Sequence, residues 1–141
     1  MSDLVRTQPT LTLEGAQQVL RAATTEAERL QVAACIAVSD HSGQLLSFVR
    51  MDGAPLLSAG LAQDKAWTVA SFSGVPTQDW YPMIRDEPAL LHGIVHTDRL
   101  VIFGGGVPVR VDGHLVGAVG VSGGSAEQDQ RVALAGAAAI G

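Results

Sequence analysis

Apolar residues recur at helical spacing near the start of the chain, where Leu13, Ala16, Leu20, Ala23, Ala27 and Leu30 share one face. With Thr12 as N-cap, this spacing predicts a helix over residues 13–30. The pattern then becomes continuous. Ala33-Ala34-Cys35-Ile36-Ala37-Val38 reads as a buried strand, Asp40-His41-Ser42-Gly43 as a turn, and residues 44–50 as the returning strand of an antiparallel hairpin. Asp52-Gly53-Ala54-Pro55 breaks the chain before a second long helix over residues 56–72, which Gly74-Val75-Pro76 ends.

Residues 77–98 lack one dominant period. A short helix is expected over 78–85 and a break at Pro88, with 90–95 undetermined between helix and strand. The segment reads as a functional excursion or lid, or as a plain surface loop. Residues 100–103, 107–111 and 114–122 then read as three strands, the last two joined by Asp112-Gly113, a strong hairpin signal. Ser125 with Gln128 three residues later forms a capping box for a closing helix. The sum is an α+β domain over residues 1–141: five mainly antiparallel strands flanked by helices, with residues 1–10 as an extended N-terminal arm.

Composition adds a surface problem. The chain of 141 residues is long enough for a real core, yet 47% of it is hydrophobic and only 16% charged. Much of the surface must be apolar or covered, and a homo-oligomer is the natural cover. A net charge of −5, with nine Lys and Arg that form no run, argues against a nucleic-acid partner. No apolar stretch reaches membrane-spanning length and no secretory h-region is visible, so no membrane partner is expected and a cytoplasmic location is the simplest reading. Cys35 is the single cysteine, which excludes an intrachain disulfide and a cysteine metal motif, and it reads as a small core residue.

Lys65 is the sharpest chemical signal. On the second helix it points into an arc of Leu57, Leu61, Phe72, Val69, Ala62, Ala66 and Ala70. A lysine there must snorkel, pair with an acid, or line a cavity. Desolvation would lower its pKa and suit it to bind an anion or act as a base. Trp67 lies on the opposite, polar face, as an interface anchor or a singly exposed ring. Arg50 could pair with Asp52 or grip a ligand carboxylate. His41 and His114 sit beside turns, whereas His92 and His96 are spaced i, i+4 and would share a helical face. Gly93 between them weakens a two-histidine metal site, and a single histidine at a pocket mouth, as axial ligand or acid/base, is the better reading. Gly104-Gly105-Gly106 marks a backbone bend, and Gly123-Gly124-Ser125 a helix entrance open to an anion. No Gly-Lys-Ser/Thr follows, so this is not a P-loop, and the strand order does not suit a dinucleotide fold.

Taken together, Arg50-Met51-Asp52-Gly53-Ala54, Lys65-Ala66-Trp67, Ile102-Phe103-Gly104-Gly105-Gly106-Val107-Pro108 and Val116-Gly117-Ala118-Val119-Gly120-Val121-Ser122-Gly123-Gly124, followed by Glu127-Gln128-Asp129, resemble the GlcG/HbpS-like family. That family includes the C-terminal domain of PduO-type proteins, and the likeness covers nearly the whole chain. It implies a profilin-like fold and homo-oligomers from dimers to octamers. Some members bind heme or iron and are described as heme-degrading or redox-sensing; others sit among genes for glycolate, diol or aromatic catabolism.

Two functions follow as expectations, beside a purely structural or chaperone-like oligomer for which the apolar composition suffices and no pocket is required. The first is a cytoplasmic, homo-oligomeric small-molecule-binding protein whose ligand is heme or another planar or anionic molecule. Arg50 and Lys65 would supply charge, Trp80 and Tyr81 apolar walls, Gly104, Gly105 and Gly106 a backbone wall, and His92 and His96 the mouth, with His96 as ligand to heme iron. The alternative is a cofactor-free lyase or isomerase in which Lys65 stabilises an enolate or acts as base and His96 is its acid/base partner.

Overall fold

The computed structural model describes residues 3–141. Thr12 accepts the Gly15 N–H and opens α1 (Leu13–Arg29), which buries Ala16, Val19, Ala23 and Ala27. The hairpin follows as β1 (Cys35–Asp40) and β2 (Leu45–Arg50), with Asp40 Oδ1 accepting the N–H groups of Ser42 and Gln44 in the turn. α2 (Leu56–Ser71) comes next, and its exit uses left-handed backbone at Ser73 and Gly74.

A 3-10 turn (Thr77–Asp79), α3 (Trp80–Ile84) and α4 (Pro88–Ile94) make up the excursion. Pro88 does not break structure here. It stands in the first turn of α4, where its missing N–H has no helical partner to lose. The chain ends in β3 (Gly106–Val111), β4 (His114–Ser122) and α5 (Ala126–Ala137). Asp112 and Gly113 both have positive φ, as the two-residue hairpin requires, and Ser125 and Gln128 form the full capping box.

The sheet has four strands in the order β2-β1-β4-β3, every pair antiparallel. The fifth strand expected at 100–103 is absent. Its start is tied sideways to α2, because Thr68 Oγ1 donates to the Arg99 carbonyl at 3.0 Å and accepts the Val101 N–H at 3.1 Å. A segment tied to a helix side chain cannot also join a ladder.

The two faces of the sheet are packed differently. Ile36, Val38, Val119 and Val121 meet α1 and α5 in a core of branched side chains. Cys35, Ala37 and Ala118 meet Ala62, Ala66 and Val69 of α2 in a core of small ones. Gly120 belongs to that second face, and α2 therefore lies very close to β4. Burial raises the Cys35 thiol above its ordinary pKa, as suits a core residue rather than a reactive one.

Candidate functional site

Close packing of α2 on β4 decides where Lys65 goes. Its Cβ lies 3.0 Å from where a Cβ on Gly120 would stand, and its Nζ 2.6 Å from where one on Gly105 would stand. Two missing side chains thus make the slot through which the lysine stem runs. Gly105 also has φ +127, a conformation side chains rarely adopt.

At the end of this slot the ammonium meets its partners. Lys65 Nζ donates to the Val121 carbonyl at 2.7 Å and pairs with Asp129 Oδ2 at 3.5 Å. The two side chains are 1% and 4% exposed. Asp129 is itself held, since its Oδ1 accepts the Gly124 N–H at 2.8 Å. The anion place expected at the Gly123-Gly124-Ser125 helix entrance is therefore taken by the chain's own carboxylate. An ammonium has three donors. Two are used, and the third has no hydrogen-bond partner among the described residues; the Phe103 ring lies with its centroid 5.1 Å from Nζ.

Burial pulls the Lys65 pKa below its ordinary value, and Asp129, by charge and hydrogen bond, only partly opposes this. The pair closes one end of a cavity of about 260 Å3, walled by Pro55, Leu57, Leu61 and Phe103 and edged by the Ser58 and Ser122 side chains. Its mouth is apolar: Leu57 is 76% and Phe103 49% exposed, with Leu56 beside them at 82%. Chemically the site offers apolar walls, hydroxyls, and a desolvated amine touching a carboxylate. Because the amine is paired, its positive charge is largely offset.

The residues expected at the site do not all gather here. Lys65 and the Gly104–Gly106 bend do, with Gly105 over Nζ and Gly106 against the Lys65 backbone. Arg50 faces a separate groove with Thr24 and Glu28, and its Nη1 donates to the Ala54 carbonyl rather than pairing with Asp52. Trp80 is buried against Phe72, centroids 4.8 Å apart, with its Nε1 unpartnered, while Tyr81 is half exposed. His92 lies exposed on α4 and His96 exposed in the turn after it; neither lines the Lys65 cavity. The apolar arc expected around Lys65 is narrower than read, because Leu57 and Phe72 face outward and Ser58 and Thr68 face in. Trp67 carries Arg99 over its ring at 5.1 Å, and Arg99 in turn pairs with Asp64 at 2.9 Å.

Asp129, Phe103 and Ser58 join the site without a signal of their own in the helical or strand periodicity. Asp129 was within reach, since the capping box at Ser125 places it on the first turn of α5.

The family described as haem degrading protein HbpS-like matches residues 11–138. The chain belongs to that family. It is 37% identical over 126 residues to a 15.0 kDa protein from the dhaT–dhaS intergenic region of Citrobacter freundii, covering 88% of this chain and 87% of that one. Protein GlcG of Escherichia coli is 35% identical over 118 residues, covering 84% and 85%. The corrinoid adenosyltransferase PduO of Salmonella typhimurium is 36% identical over 131 residues, covering 92% of this chain but 39% of PduO. Among solved structures, Klebsiella pneumoniae ORFY matches with TM-score 0.90 and 34% identity over 99% of this chain and 96% of that one. A PduOC:heme complex matches with TM-score 0.84 and 35% identity over 93% and 95%. These relatives support the α+β architecture, and the PduOC structure among them is a heme complex.

Proposed function

We propose that this chain is a small-molecule-binding member of the HbpS-like family, its ligand seated in the Lys65 cavity. The observation that carries this reading is the Lys65–Asp129 pair at the end of an apolar cavity, with one ammonium donor unspent. A charged pair costs several kcal/mol to desolvate, so a purely structural role is the expensive alternative. The matching ligand has an apolar body that lies against Phe103 and a polar head that accepts from Lys65. Since Asp129 offsets the charge, the head need not be an anion. The exposed Leu56, Leu57 and Phe103 favour a homo-oligomer that covers the mouth. No helix among the described residues is long and apolar enough to cross a membrane.

Heme is the second reading, favoured by the PduOC:heme complex. The cavity fits it only in part. Its walls suit an apolar ring edge, but no histidine, cysteine, methionine or tyrosine lines it, and these are ordinary axial ligands of heme iron. The iron would fall to a histidine outside the cavity, for which we retain His96.

A hemin titration of the purified protein tests both readings. Saturable movement of the Soret band, weakened about tenfold in Phe103→Ala and spectrally altered in His96→Ala, is the expected result for heme bound across this mouth. A Soret band unmoved in the native protein removes heme. The native mass of freshly purified protein then reports whether another small molecule is retained, and how many copies assemble.

A further inference from the structure

Lys65 is the only lysine among 141 residues; the other eight cations are arginines. Arginine serves every other cationic position. This one lysine side chain is buried against Asp129, and both line the cavity of about 260 Å3. Arginine cannot give up its proton in a protein, whereas a desolvated lysine can, so this position has the one side-chain amine able to become a nucleophile.

We propose that Lys65 forms an imine with a small uncharged aldehyde or ketone, with Asp129 as its proton partner. This rests on the reading that the Lys65 cavity takes a small molecule and adds the chemistry performed on it. The net-neutral pair selects against a second anion beside Asp129, and the apolar walls suit a short carbon chain.

The step balances within the residues on hand. Asp129 takes a proton from the Lys65 ammonium across the 3.5 Å contact. The freed nitrogen pair attacks the carbonyl carbon, forming the C–N bond, while the C=O π pair moves onto oxygen. That oxygen takes the proton now carried by nitrogen, which gives a neutral carbinolamine. Asp129 returns its proton to the hydroxyl, the C–O bond breaks, and water leaves as the C=N bond forms. The product is an iminium whose charge again faces the Asp129 carboxylate. Nothing is oxidised or reduced. Ser58 and Ser122 are also among the residues that line the cavity.

The test incubates the full chain with propanal and, separately, pyruvate, each with cyanoborohydride, followed by intact mass and peptide mapping. Because the chain has one lysine, only Lys65 and the N-terminal amine can be trapped. The expected result is a saturable single adduct on the Lys65 peptide, faster with propanal than with pyruvate, absent in Lys65→Arg and slowed at least tenfold in Asp129→Asn. Adduct confined to the N-terminal amine, or rising linearly with probe concentration, overturns the proposal. The native protein alone decides this, so a variant that fails to fold costs nothing. Calorimetric binding of propanal without reductant is read separately: binding without trapping refutes the imine and keeps the cavity, and no binding with no trapping refutes both.

Discussion

Replacing Gly120 with alanine lowers stability by about 3 kcal/mol or more, or prevents folding altogether. A Cβ at Gly120 would run into the Ala62 carbonyl oxygen and lie 2.6 Å from the Ala66 backbone nitrogen and 3.0 Å from the Lys65 Cβ. Two of these are helix backbone, which no rotamer change can move. The whole of α2 would have to lift from β4, opening the small-residue core of Cys35, Ala37, Ala62 and Ala66 and carrying Lys65 away from Asp129. Gly60, on the same helix, has nothing within 4 Å of its would-be Cβ. Gly60→Ala therefore stabilises by about 0.5–1 kcal/mol through helix propensity. Urea unfolding of both variants measures the contrast. A loss below about 1 kcal/mol for Gly120→Ala would mean that α2 does not sit this close to the sheet.

Asp129→Ala costs about 3–5 kcal/mol, because it strands an ammonium that is 1% exposed. It also frees the Gly124 N–H that Oδ1 accepts. Lys65→Met costs less, since the carboxylate it leaves keeps the Gly124 bond and a methionine fills the same slot between Gly105 and Gly120. The asymmetry is the informative quantity. It appears as a larger drop in the urea midpoint for Asp129→Ala than for Lys65→Met at neutral pH. Equal small drops would show a solvated pair with little to lose.

Much of this was legible in the chain. The capped helices, both hairpins and the continuous apolar run that buries β1 rest on local chemistry: Thr12, Asp40, Asp112-Gly113 and the Ser125–Gln128 box each act within a few residues of themselves. Lys65 was conspicuous because helical periodicity places it among apolar neighbours, and the structure answers its alternatives with two at once, a paired acid and a cavity. The misses share one cause. Residues 100–103 have strand composition, yet Thr68, thirty-odd positions earlier, takes the Val101 N–H and donates to the Arg99 carbonyl just before them. His96 stands beside the glycine bend in sequence but in an exposed turn in space. Asp129 is sixty-four positions from Lys65 and meets it only because α5 and α2 converge at the end of β4. Contacts of that range come from topology, and a single sequence does not carry them.

The pH behaviour of Lys65 tests the central claim most directly, that a desolvated amine ends the cavity. Burial disfavours the protonated form in the fold, so its pKa there lies below its ordinary 10.5. The penalty is fully present below the folded pKa and is relieved as pH rises through it toward the unfolded value. In that window the unfolded chain holds more protons, and stability rises with pH relative to Lys65→Met. Asp129 is the one charged side chain facing the amine among the described residues, and it opposes the shift without reversing it. Lysine labelled with a heavy nitrogen isotope at Nζ gives one side-chain signal from this chain, because only one lysine is present. We expect that signal to titrate with a midpoint below 10.5 and to move when a small carbonyl compound is added. A midpoint at or above 10.5, unmoved by any such compound, would contradict the account.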